Sequence, residues 1–491
     1  MAEKKVSVVK NYLYNLSYQI LLLIVPLITM PYLARTLGLE NQGTFSVLYS
    51  VVSCFVMLGC VGLNIYGQRE VAYFKNDPEA CNRIFWEIEM MRILTHACSM
   101  LLYFAFIWFN STVIGIINVY EPMYFVLFGI ELLSSMFDIS WYYQGLENFK
   151  FQTMRNFIVK LLGLAMIFIF VRTKNDLWLY IVIYTGMNLA GNLSMWFHRL
   201  RYGRFVMPDA QRFSHHLRRS FIMFLPQIAT TVYAQLDRVM LGGLINDHNL
   251  QAGVYDNAEK IVKIALTVVT SIGLVMLSRV ANTFMSDNKE QTRSYIRASF
   301  RLYLCLAVPI MFGVAAIANV FVPRFFGDVA GFEQIVPAMI ALCPIILFIG
   351  GSNVFGTQYL LPTNRMKPYT LSVFVGMGVN MTLNFILIPS MGAFGAAAAT
   401  SMAELAVLIV QMIAVRKEFG PRMFLQGWRN FLSGAVMFVC VYSLGQLMGP
   451  TIQTLVTQII IGVVVYFLLL FALRDSFVTS GFHRIVDKFT K

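Results

Sequence analysis

The sequence predicts an all-α integral membrane protein with about fourteen transmembrane helices. Of its 491 residues, 58% are hydrophobic and 13% are charged, and the mean hydropathy is +0.65. Apolar stretches of roughly 20 residues, the length that crosses a bilayer as a helix, recur between short polar segments. A weak internal repeat further predicts two pseudo-symmetric six-helix lobes and two extra C-terminal helices.

The apolar stretches define the predicted spans. The first one is too long for a signal peptide and lacks a small-residue cleavage site, so we expect it to remain as a helix. The seven cysteines show no CxxC spacing, which argues against a disulfide framework or a metal cluster. The predicted spans are 12–34, 43–66, 84–108, 121–142, 152–172, 176–197, 219–244, 252–278, 296–318, 335–358, 369–388, 392–415, 428–448 and 452–473.

Basic residues are distributed unequally between the predicted loops. With the N-terminus in the cytoplasm, most Lys and Arg residues flanking the spans fall on the inside, and both termini are then cytoplasmic. Basic loops that face an anionic leaflet also account for the net charge of +13, so we expect no nucleic-acid partner. The basic residues on the outside are Arg35, Arg172, Lys174 and Arg324.

The internal repeat gives the predicted domain division. Pro26 aligns with Pro226, and Gly43 aligns with Gly253 at a slightly larger offset, so the second copy contains small insertions. Six spans per half place the symmetry axis along the membrane normal, as in transporters whose lobes rock around a midplane site. The predicted domains are an N-lobe at 1–200, a basic cytoplasmic linker at 201–220, a C-lobe at 221–415, and two further helices with a cytoplasmic tail at 416–491.

Charged residues remain inside the predicted spans. Each costs about 3 kcal/mol in lipid, so most of them must face water, a partner or a substrate. We interpret the basic ones as a cationic substrate cavity and the acidic ones as their partners or as coupling groups. The basic set is Arg35, Arg92, Lys160, Arg238, Lys260 and Lys263, and the acidic set is Glu131, Asp138, Asp237, Asp256, Glu259 and Glu404.

Spacing and depth divide these charges further. Asp256 with Lys260, and Glu259 with Lys263, are four residues apart and share a helical face. The alternative interpretation is that these pairs only hold the outer ends of two spans together. Arg92 and Lys160 have no acid four residues away and lie in the inner half of the bilayer, whereas the other cations lie in the outer half. A phosphate would therefore meet cations at both levels.

Neutral polar residues also lie within the spans, several of them at helical spacing. Interhelical hydrogen bonds are one interpretation, and contacts with sugar hydroxyls are the other. There is no P-loop, no GxGxxG motif after a strand and no HExxH motif, so we expect no cofactor. The energy source stays open between an H⁺ or Na⁺ gradient, the substrate gradient and downstream consumption. The polar candidates are Asn188, Asn192, Gln235, Asn380 and Asn384.

Several motifs resemble those of the Wzx-type oligosaccharide flippases of the polysaccharide biosynthesis and export family. They occur in the expected order from about residue 10 to residue 415. They include Pro31-Tyr-Leu-Ala-Arg-Thr-Leu-Gly38, Gln42-Gly-Thr-Phe45, Trp141-Tyr-Tyr-Gln-Gly-Leu-Glu147, Asp237-Arg-Val-Met-Leu-Gly242, Gly253-Val-Tyr-Asp-Asn-Ala258, Leu361-Pro-Thr-Asn364 and Gly392-Ala-Phe-Gly-Ala-Ala397.

The resemblance implies membership of the multidrug/oligosaccharidyl-lipid/polysaccharide exporter superfamily, with a V-shaped central cavity and alternating access. It also implies a substrate, an undecaprenyl-diphosphate-linked repeat unit of a polymer such as capsule or O-antigen. This unit would move from the cytoplasmic to the outer leaflet of a bacterial plasma membrane, with a downstream polymerase or export machinery as a further partner. Of the cationic candidates, only Arg35 and Arg238 lie in family motifs.

Three alternatives stay open. A multidrug extrusion antiporter for organic cations shares the fold but favours an acidic cavity, and the motifs fit a peptidoglycan-precursor flippase less well. A membrane glycosyl polymerase is the alternative from the enzyme class. Such enzymes need a long external loop, and the predicted external loops are short. We therefore predict a transporter and not an enzyme.

Overall fold

The computed structural model describes residues 8–110, 120–202, 205–207, 209–245, 247–285, 288–327, 329–420, 423, 427–475 and 479. Most of these residues are helical, and none of them forms a β-strand. The chain forms two compact units, Met1–Gly253 and Val254–Lys491. The predicted cytoplasmic ends at 1–7 and 480–491, and parts of the predicted linker at 201–220, lie outside the described residues.

Among the described residues of the first unit there are nine α-helices, and a tenth, α10 (His248–Met285), begins there. Within the unit, α5 packs against α8, α7 packs against α8, and α2 packs against α4 and α9. The nine helices are α1 (Val8–Thr36), α2 (Gly38–Cys60), α3 (Leu63–Tyr73), α4 (Pro78–Phe109), α5 (Pro122–Met136), α6 (Ser140–Gly145), α7 (Phe149–Phe170), α8 (Leu177–Tyr202) and α9 (Ala210–Leu244).

Local sequence determines where several of these helices begin. At the start of α4, the Asp77 carboxylate accepts the N–H groups of Glu79 and Ala80, and Pro78 occupies the first turn, where no N–H is needed. The predicted span at 121–142 is not one helix, because α5 ends at Met136 and α6 begins at Ser140. The first unit's aromatic core lies beside this break and includes Phe85 and Trp141.

The described part of the second unit contains most of α10 and six further α-helices. The predicted span at 335–358 consists of α12, α13 and a π-helical segment at Asn353–Leu360, so it is less regular than expected. The last two helices coincide closely with the predicted spans 428–448 and 452–473, and both pack against α11. The six helices are α11 (Lys289–Phe326), α12 (Ile335–Leu342), α13 (Pro344–Ser352), α14 (Met366–Phe419), α15 (Trp428–Met448) and α16 (Ile452–Ala472).

Among the described residues, nine helical segments are long and apolar enough to cross a membrane. One of them is α14, whose 54 residues exceed the roughly 20 that a single crossing needs. Its backbone breaks at Gly392, where φ is 54° and ψ is −130°, and the predicted spans 369–388 and 392–415 adjoin at this point. The all-α membrane fold is thus confirmed, whereas the count of fourteen spans stays a prediction.

Candidate functional site

A polar cluster lies among the helices of the first unit, built from residues that the sequence places far apart. Asn188 on α8 donates from Nδ2 to both carboxylate oxygens of Glu131 on α5, at 3.1 and 3.3 Å. Lys160 on α7 is close enough to Glu131 for the two charges to interact, and its Nζ lies 5.6 Å from the ring centroid of Tyr184. Three predicted site residues therefore meet here, with an aromatic ring beside them. We call Glu131, Lys160, Tyr184 and Asn188 the α5–α7–α8 cluster.

Aromatic rings extend the cluster toward α2. The Tyr184 ring meets Tyr49 edge to face at a centroid distance of 5.7 Å, and Phe45 lies 5.2 Å away on the same side. A cation over such a ring is attracted by its negative face, which contributes about 0.5–2 kcal/mol depending on desolvation. Sequence reasoning missed these three aromatic residues, because rings at helical spacing usually belong to an apolar core.

Helix α9 brings two further predicted residues to α2. The Oε1 atom of Gln235 accepts a hydrogen bond from the Ser50 hydroxyl at 2.8 Å. Arg238 is half-buried, donates from Nη1 to the carbonyl of Ala234 at 3.1 Å, and interacts electrostatically with Tyr49. A carboxylate, two cations and phenolic rings are thus held by five helices of one unit, an arrangement that can bind a group carrying both charge and a ring.

A second hydrogen-bond layer lies next to the cluster and begins at Asn192. Its Nδ2 donates to the carbonyl and hydroxyl oxygens of Ser134, at 2.8 and 3.0 Å, and its Oδ1 accepts from Arg155 Nη2 at 3.1 Å. Asn188 and Asn192 therefore share one face of α8, as their spacing predicts, and both bind α5. Interhelical hydrogen bonding, the simpler of the two interpretations, accounts for Asn192 fully.

Arg92 is completely buried inside the first unit. Its Nε and Nη2 donate to the carbonyl of Ser135 at 3.1 and 2.5 Å, and its Nη1 donates to Asn64 Oδ1. Glu89, three residues earlier on α4, is also fully buried, and its carboxylate is close enough to Arg92 for the two charges to interact. Sequence reasoning counted acids only at a spacing of four and so missed Glu89. In this conformation Arg92 joins α4 to α3 and α5.

Asp138 occupies the break between α5 and α6. Its Oδ1 accepts the backbone N–H of Ser140 at 2.9 Å and also the hydroxyl of Ser140. A short polar side chain that bonds the backbone two residues ahead forms an ordinary turn. The side chain thus has a local structural partner. The other two predicted residues of the first unit are Asp237, which is buried on α9, and Arg35, which is exposed at the end of α1.

The ion pairs predicted on span eight are both present on α10. Lys260 Nζ lies 2.5 Å from Asp256 Oδ2, and Lys263 Nζ lies 2.7 Å from Glu259 Oε1. Each carboxylate is nearly buried, whereas each lysine side chain is 45% exposed. The lysine ends thus remain accessible although each carries a counter-ion.

The remaining predicted residues lie on α14 in the second unit. Asn384 Nδ2 donates to Asn380 Oδ1 at 3.1 Å, and both side chains are fully buried, as expected for residues that share a face. Glu404 lies further along the same helix and is half-buried. Within the described parts of the chain, no three His, Cys, Asp or Glu side chains are grouped as metal ligands would be.

Two family models match the chain. The model for "Polysaccharide biosynthesis protein" matches residues 8–278, and the model for "Lipid II flippase MurJ" matches residues 153–473. A protein of Escherichia coli (strain K12) assigned as an O-antigen transporter is 23% identical over 433 residues, which cover 85% of this chain and 98% of the relative. The lipid II flippase MurJ of Bacillus subtilis (strain 168) is 22% identical over 33% of this chain and 30% of its own length.

Solved structures show the same fold. The inward closed conformation of the lipid II flippase MurJ has a TM-score of 0.71 at 15% identity, covering 97% of this chain and 99% of that one. An inward-facing multidrug resistance MATE family transporter has a TM-score of 0.57 at 11% identity, covering 90% and 96%. At these identities the likeness concerns the fold alone. Together with the family models and the motifs, it shows that the chain belongs to the polysaccharide biosynthesis protein family, as a Wzx-type flippase of the multidrug/oligosaccharidyl-lipid/polysaccharide exporter superfamily.

Proposed function

We propose that this protein carries a lipid-linked oligosaccharide from the cytoplasmic to the outer leaflet of a bacterial plasma membrane by alternating access. Family membership and relatives named for O-antigen transport and lipid II flipping support this function. We infer that the cargo is an undecaprenyl-diphosphate-linked repeat unit, whose polyprenyl tail stays in lipid while its polar head crosses. Movement between leaflets, without chemical conversion, is then the whole activity.

The α5–α7–α8 cluster is the observation that carries the proposal at the level of residues. A diphosphate needs cations and a sugar needs polar groups beside a ring, and Lys160, Glu131, Asn188 and Tyr184 supply both inside apolar helices. Because an unpaired charge at this depth costs several kcal/mol, Lys160 keeps Glu131 as its counter-ion while no substrate is present. An arriving phosphate can replace that carboxylate at the lysine.

This exchange of partners suggests a role for Glu131 in coupling. Once a phosphate engages Lys160, the Glu131 carboxylate loses much of the charge that stabilised it and retains its two hydrogen bonds from Asn188. A proton or a Na⁺ ion is then the simplest compensation. We propose H⁺, because one carboxylate can take up a proton without any further ligand, whereas a hard cation needs several oxygen ligands.

The other cations have different roles in this proposal. Arg35 and Arg238 lie in family motifs and remain substrate-contact residues, whereas buried Arg92 holds three helices together. Lys260 and Lys263 contact the substrate only with the exposed ends of their ion-paired side chains. We further propose that both termini are cytoplasmic and that a polymerase or export machinery consumes the flipped unit. A reporter fused to each terminus tests the orientation.

The decisive experiment deletes the gene in its host and complements the deletion with variants. Polyprenyl-diphosphate-linked oligosaccharide is quantified by mass spectrometry alongside surface polymer. The deletion should accumulate the lipid-linked unit and lose the polymer, and Lys160→Gln and Glu131→Gln should restore less than a tenth of wild-type export, equivalent to about 1.4 kcal/mol or more. Lys174→Gln, an exposed lysine of the predicted outer loop, is the matched control and should restore export fully.

Four other outcomes would overturn parts of this proposal. Unchanged lipids with new sensitivity to cationic drugs would indicate an extrusion antiporter. Lipid-linked units that accumulate in the outer leaflet would indicate a polymerase. Full export by both cluster variants, at wild-type protein level, would remove the α5–α7–α8 cluster from the transport site. Export by wild-type protein that follows a Na⁺ gradient and ignores a pH gradient would replace H⁺ as the coupling ion.

A further inference from the structure

The second unit contains a pocket of about 220 Å³ that the proposed transport site does not use. Its walls come from the end of α10, the beginning of α11, the end of the π-helix with the segment that follows it, and the end of α14. A water molecule occupies roughly 30 Å³ of liquid, so the pocket has room for a group of several heavy atoms. We call it the α11–α14 pocket. The residues that matter for its chemistry are Lys289, Arg293, Tyr359, Thr363, Arg365 and Glu418.

The lining carries more positive than negative charge. Lys289, Arg293 and Arg365 contribute three cations, and Glu418 is the single carboxylate among the lining residues. Arg365 Nη1 lies 2.6 Å from Glu418 Oε1, and the Tyr359 hydroxyl donates to the other oxygen of the same carboxylate. Glu418 is therefore engaged on both oxygens. A ligand that enters this pocket meets an excess of cationic N–H donors.

Arg365 is held in place before any ligand arrives. Arg365 also donates from Nη2 to the carbonyl of Ala414 at 3.0 Å, so its guanidinium plane is fixed from two directions while further N–H groups remain to donate. Thr363 donates its hydroxyl to the carbonyl of Tyr359 at 2.7 Å and can only accept from a ligand. Planar guanidinium groups with fixed orientation match phosphate oxygens in geometry as well as charge.

A family motif shapes this pocket. In Leu361-Pro-Thr-Asn364 the last residue adopts a φ of +57°, which asparagine tolerates better than most residues. The turn closes with the N–H of Arg365 donating to the carbonyl of Leu360 at 2.9 Å. The motif thus aims Arg365 at Glu418 and the pocket, which gives it a physical role that the transport cluster does not explain.

The predicted position of the pocket, at the cytoplasmic surface of the membrane, supports a phosphate ligand. Its walls belong to segments that the positive-inside rule assigns to the cytoplasmic side, where lipid phosphates lie. Beyond Arg293, α11 carries Arg297 and Arg301 at steps of four, so a basic stripe continues along one side of the helix. Both of these arginines are exposed.

We propose that the α11–α14 pocket binds a phosphate group at the cytoplasmic membrane surface, through Arg293, Lys289 and Arg365. The phosphate belongs either to the head group of an anionic phospholipid or to the diphosphate of the lipid-linked substrate as it approaches. The second source rests on the proposed function, and the first does not. In either case the site uses different residues from the α5–α7–α8 cluster.

Purified full-length protein in detergent, studied by native mass spectrometry, tests the proposal. The probes are phosphatidylglycerol against diacylglycerol, which lacks the phosphate, and undecaprenyl diphosphate against undecaprenol. The test variant is Arg293→Gln with Lys289→Gln, which leaves the Arg365–Glu418 ion pair intact. Lys367→Gln, an exposed neighbour that does not line the pocket, is the control. We expect the double variant to bind a phosphate-bearing probe at least tenfold more weakly, and the control to bind as wild type.

The two lipid arms identify the source of the phosphate. A loss confined to phosphatidylglycerol assigns the pocket to membrane lipid, and a loss confined to undecaprenyl diphosphate assigns it to the substrate. Equal binding of both phosphate probes by wild type and double variant overturns the site. A circular dichroism spectrum and elution volume like those of wild type show that the double variant is folded. This experiment measures lipid binding and not export. Loss of the proposed phosphate site is therefore distinguished from full export by the Lys160→Gln variant, which would contradict the proposed transport site.

Discussion

The hydroxyl of Tyr66 lies 2.7 Å from Nδ1 of His216, across 150 positions of sequence. The other nitrogen of the same ring, Nε2, lies 3.1 Å from Oε2 of Glu87, whose Oε1 is 3.6 Å from Arg212. Tyr66, Glu87 and His216 are all buried. This chain of polar contacts joins α3, α4 and the beginning of α9, and thereby fixes the first turns of α9 within the first unit.

Substitutions along this chain should be energetically coupled. Tyr66→Phe and Glu87→Leu each remove a partner of His216, and each should lower the free energy of unfolding by about 1–3 kcal/mol because a buried polar group is left unsatisfied. The double variant should cost less than the sum, since both changes act through one imidazole. Unfolding in detergent, followed by tryptophan fluorescence, measures the cycle. Additive changes in the free energy of unfolding would contradict this chain of contacts. Tyr73→Phe, at an exposed ring, is the neutral control.

Gly43 on α2 permits a close backbone approach to the beginning of α10. A Cβ there would lie 1.7 Å from the carbonyl oxygen of Asn249, and a Cβ on Gly253 would lie 2.0 Å from that of Leu39. Small residues at such crossings let helices pack through their backbones. We expect Gly43→Ala to reduce both thermal stability and polymer export. Gly186→Ala, where no atom lies within 4 Å, should be neutral or stabilising, and equal effects of the two changes would sink the explanation.

The break in α14 depends on Gly392. Its φ of 54° with a ψ of −130° is a backbone conformation that an L-residue reaches only with strain, of the order of 1–3 kcal/mol. Gly392→Ala should therefore lower the melting temperature or the yield of folded protein. Gly378→Ala on the same helix, in open space, serves as the control. Unaltered stability of Gly392→Ala would show that α14 can cross this point without the break.

Gln358 forms the centre of a buried network in the second unit. Its Oε1 accepts the hydroxyl of Ser299 at 2.6 Å, and its Nε2 donates to Asn353 Oδ1 at 2.9 Å. Gln358→Leu leaves Ser299 and Asn353 without this hydrogen-bond partner and should lower the free energy of unfolding by about 1–3 kcal/mol. Ser299→Ala removes one hydrogen bond and should lower it by less. Chemical denaturation of the two variants ranks them. The opposite order would mean that Gln358 is not satisfied as described.

The turn before α8 should depend on pH. The Asp176 carboxylate accepts the N–H groups of Arg172 and Thr173 at 2.8 and 2.7 Å, and these bonds lower the pKa of Asp176. Their stabilisation is present above the pKa of the unfolded chain and is lost as pH falls through the lower folded value. Hydrogen exchange at the two amides should therefore lose protection only under strongly acidic conditions. Asp176→Asn should remove that acid-dependent step.

Local patterns in the sequence predicted those features that depend on one helix. Apolar runs located α15 and α16 almost to the residue, and a spacing of four identified the Asp256–Lys260 and Glu259–Lys263 pairs. The same reasoning missed Glu89 beside Arg92, although a spacing of three also places two side chains on one face. The predicted span at 121–142 corresponds to one membrane-crossing segment, Pro122–Gly145, although apolar content did not reveal the break between α5 and α6 within it.

By itself, then, the sequence determined that this protein lies in a membrane, that it is helical, which family it belongs to and where most of its spans lie. These features follow from hydropathy and from the spacing of apolar residues, which are properties of neighbouring residues. Tertiary structure decided which intramembrane charges meet. Lys160 reaches Glu131 and Asn188 only through the packing of α5, α7 and α8, and Arg92 is enclosed by α3 and α5. Such contacts depend on the rotation and depth of whole helices, which local spacing does not specify.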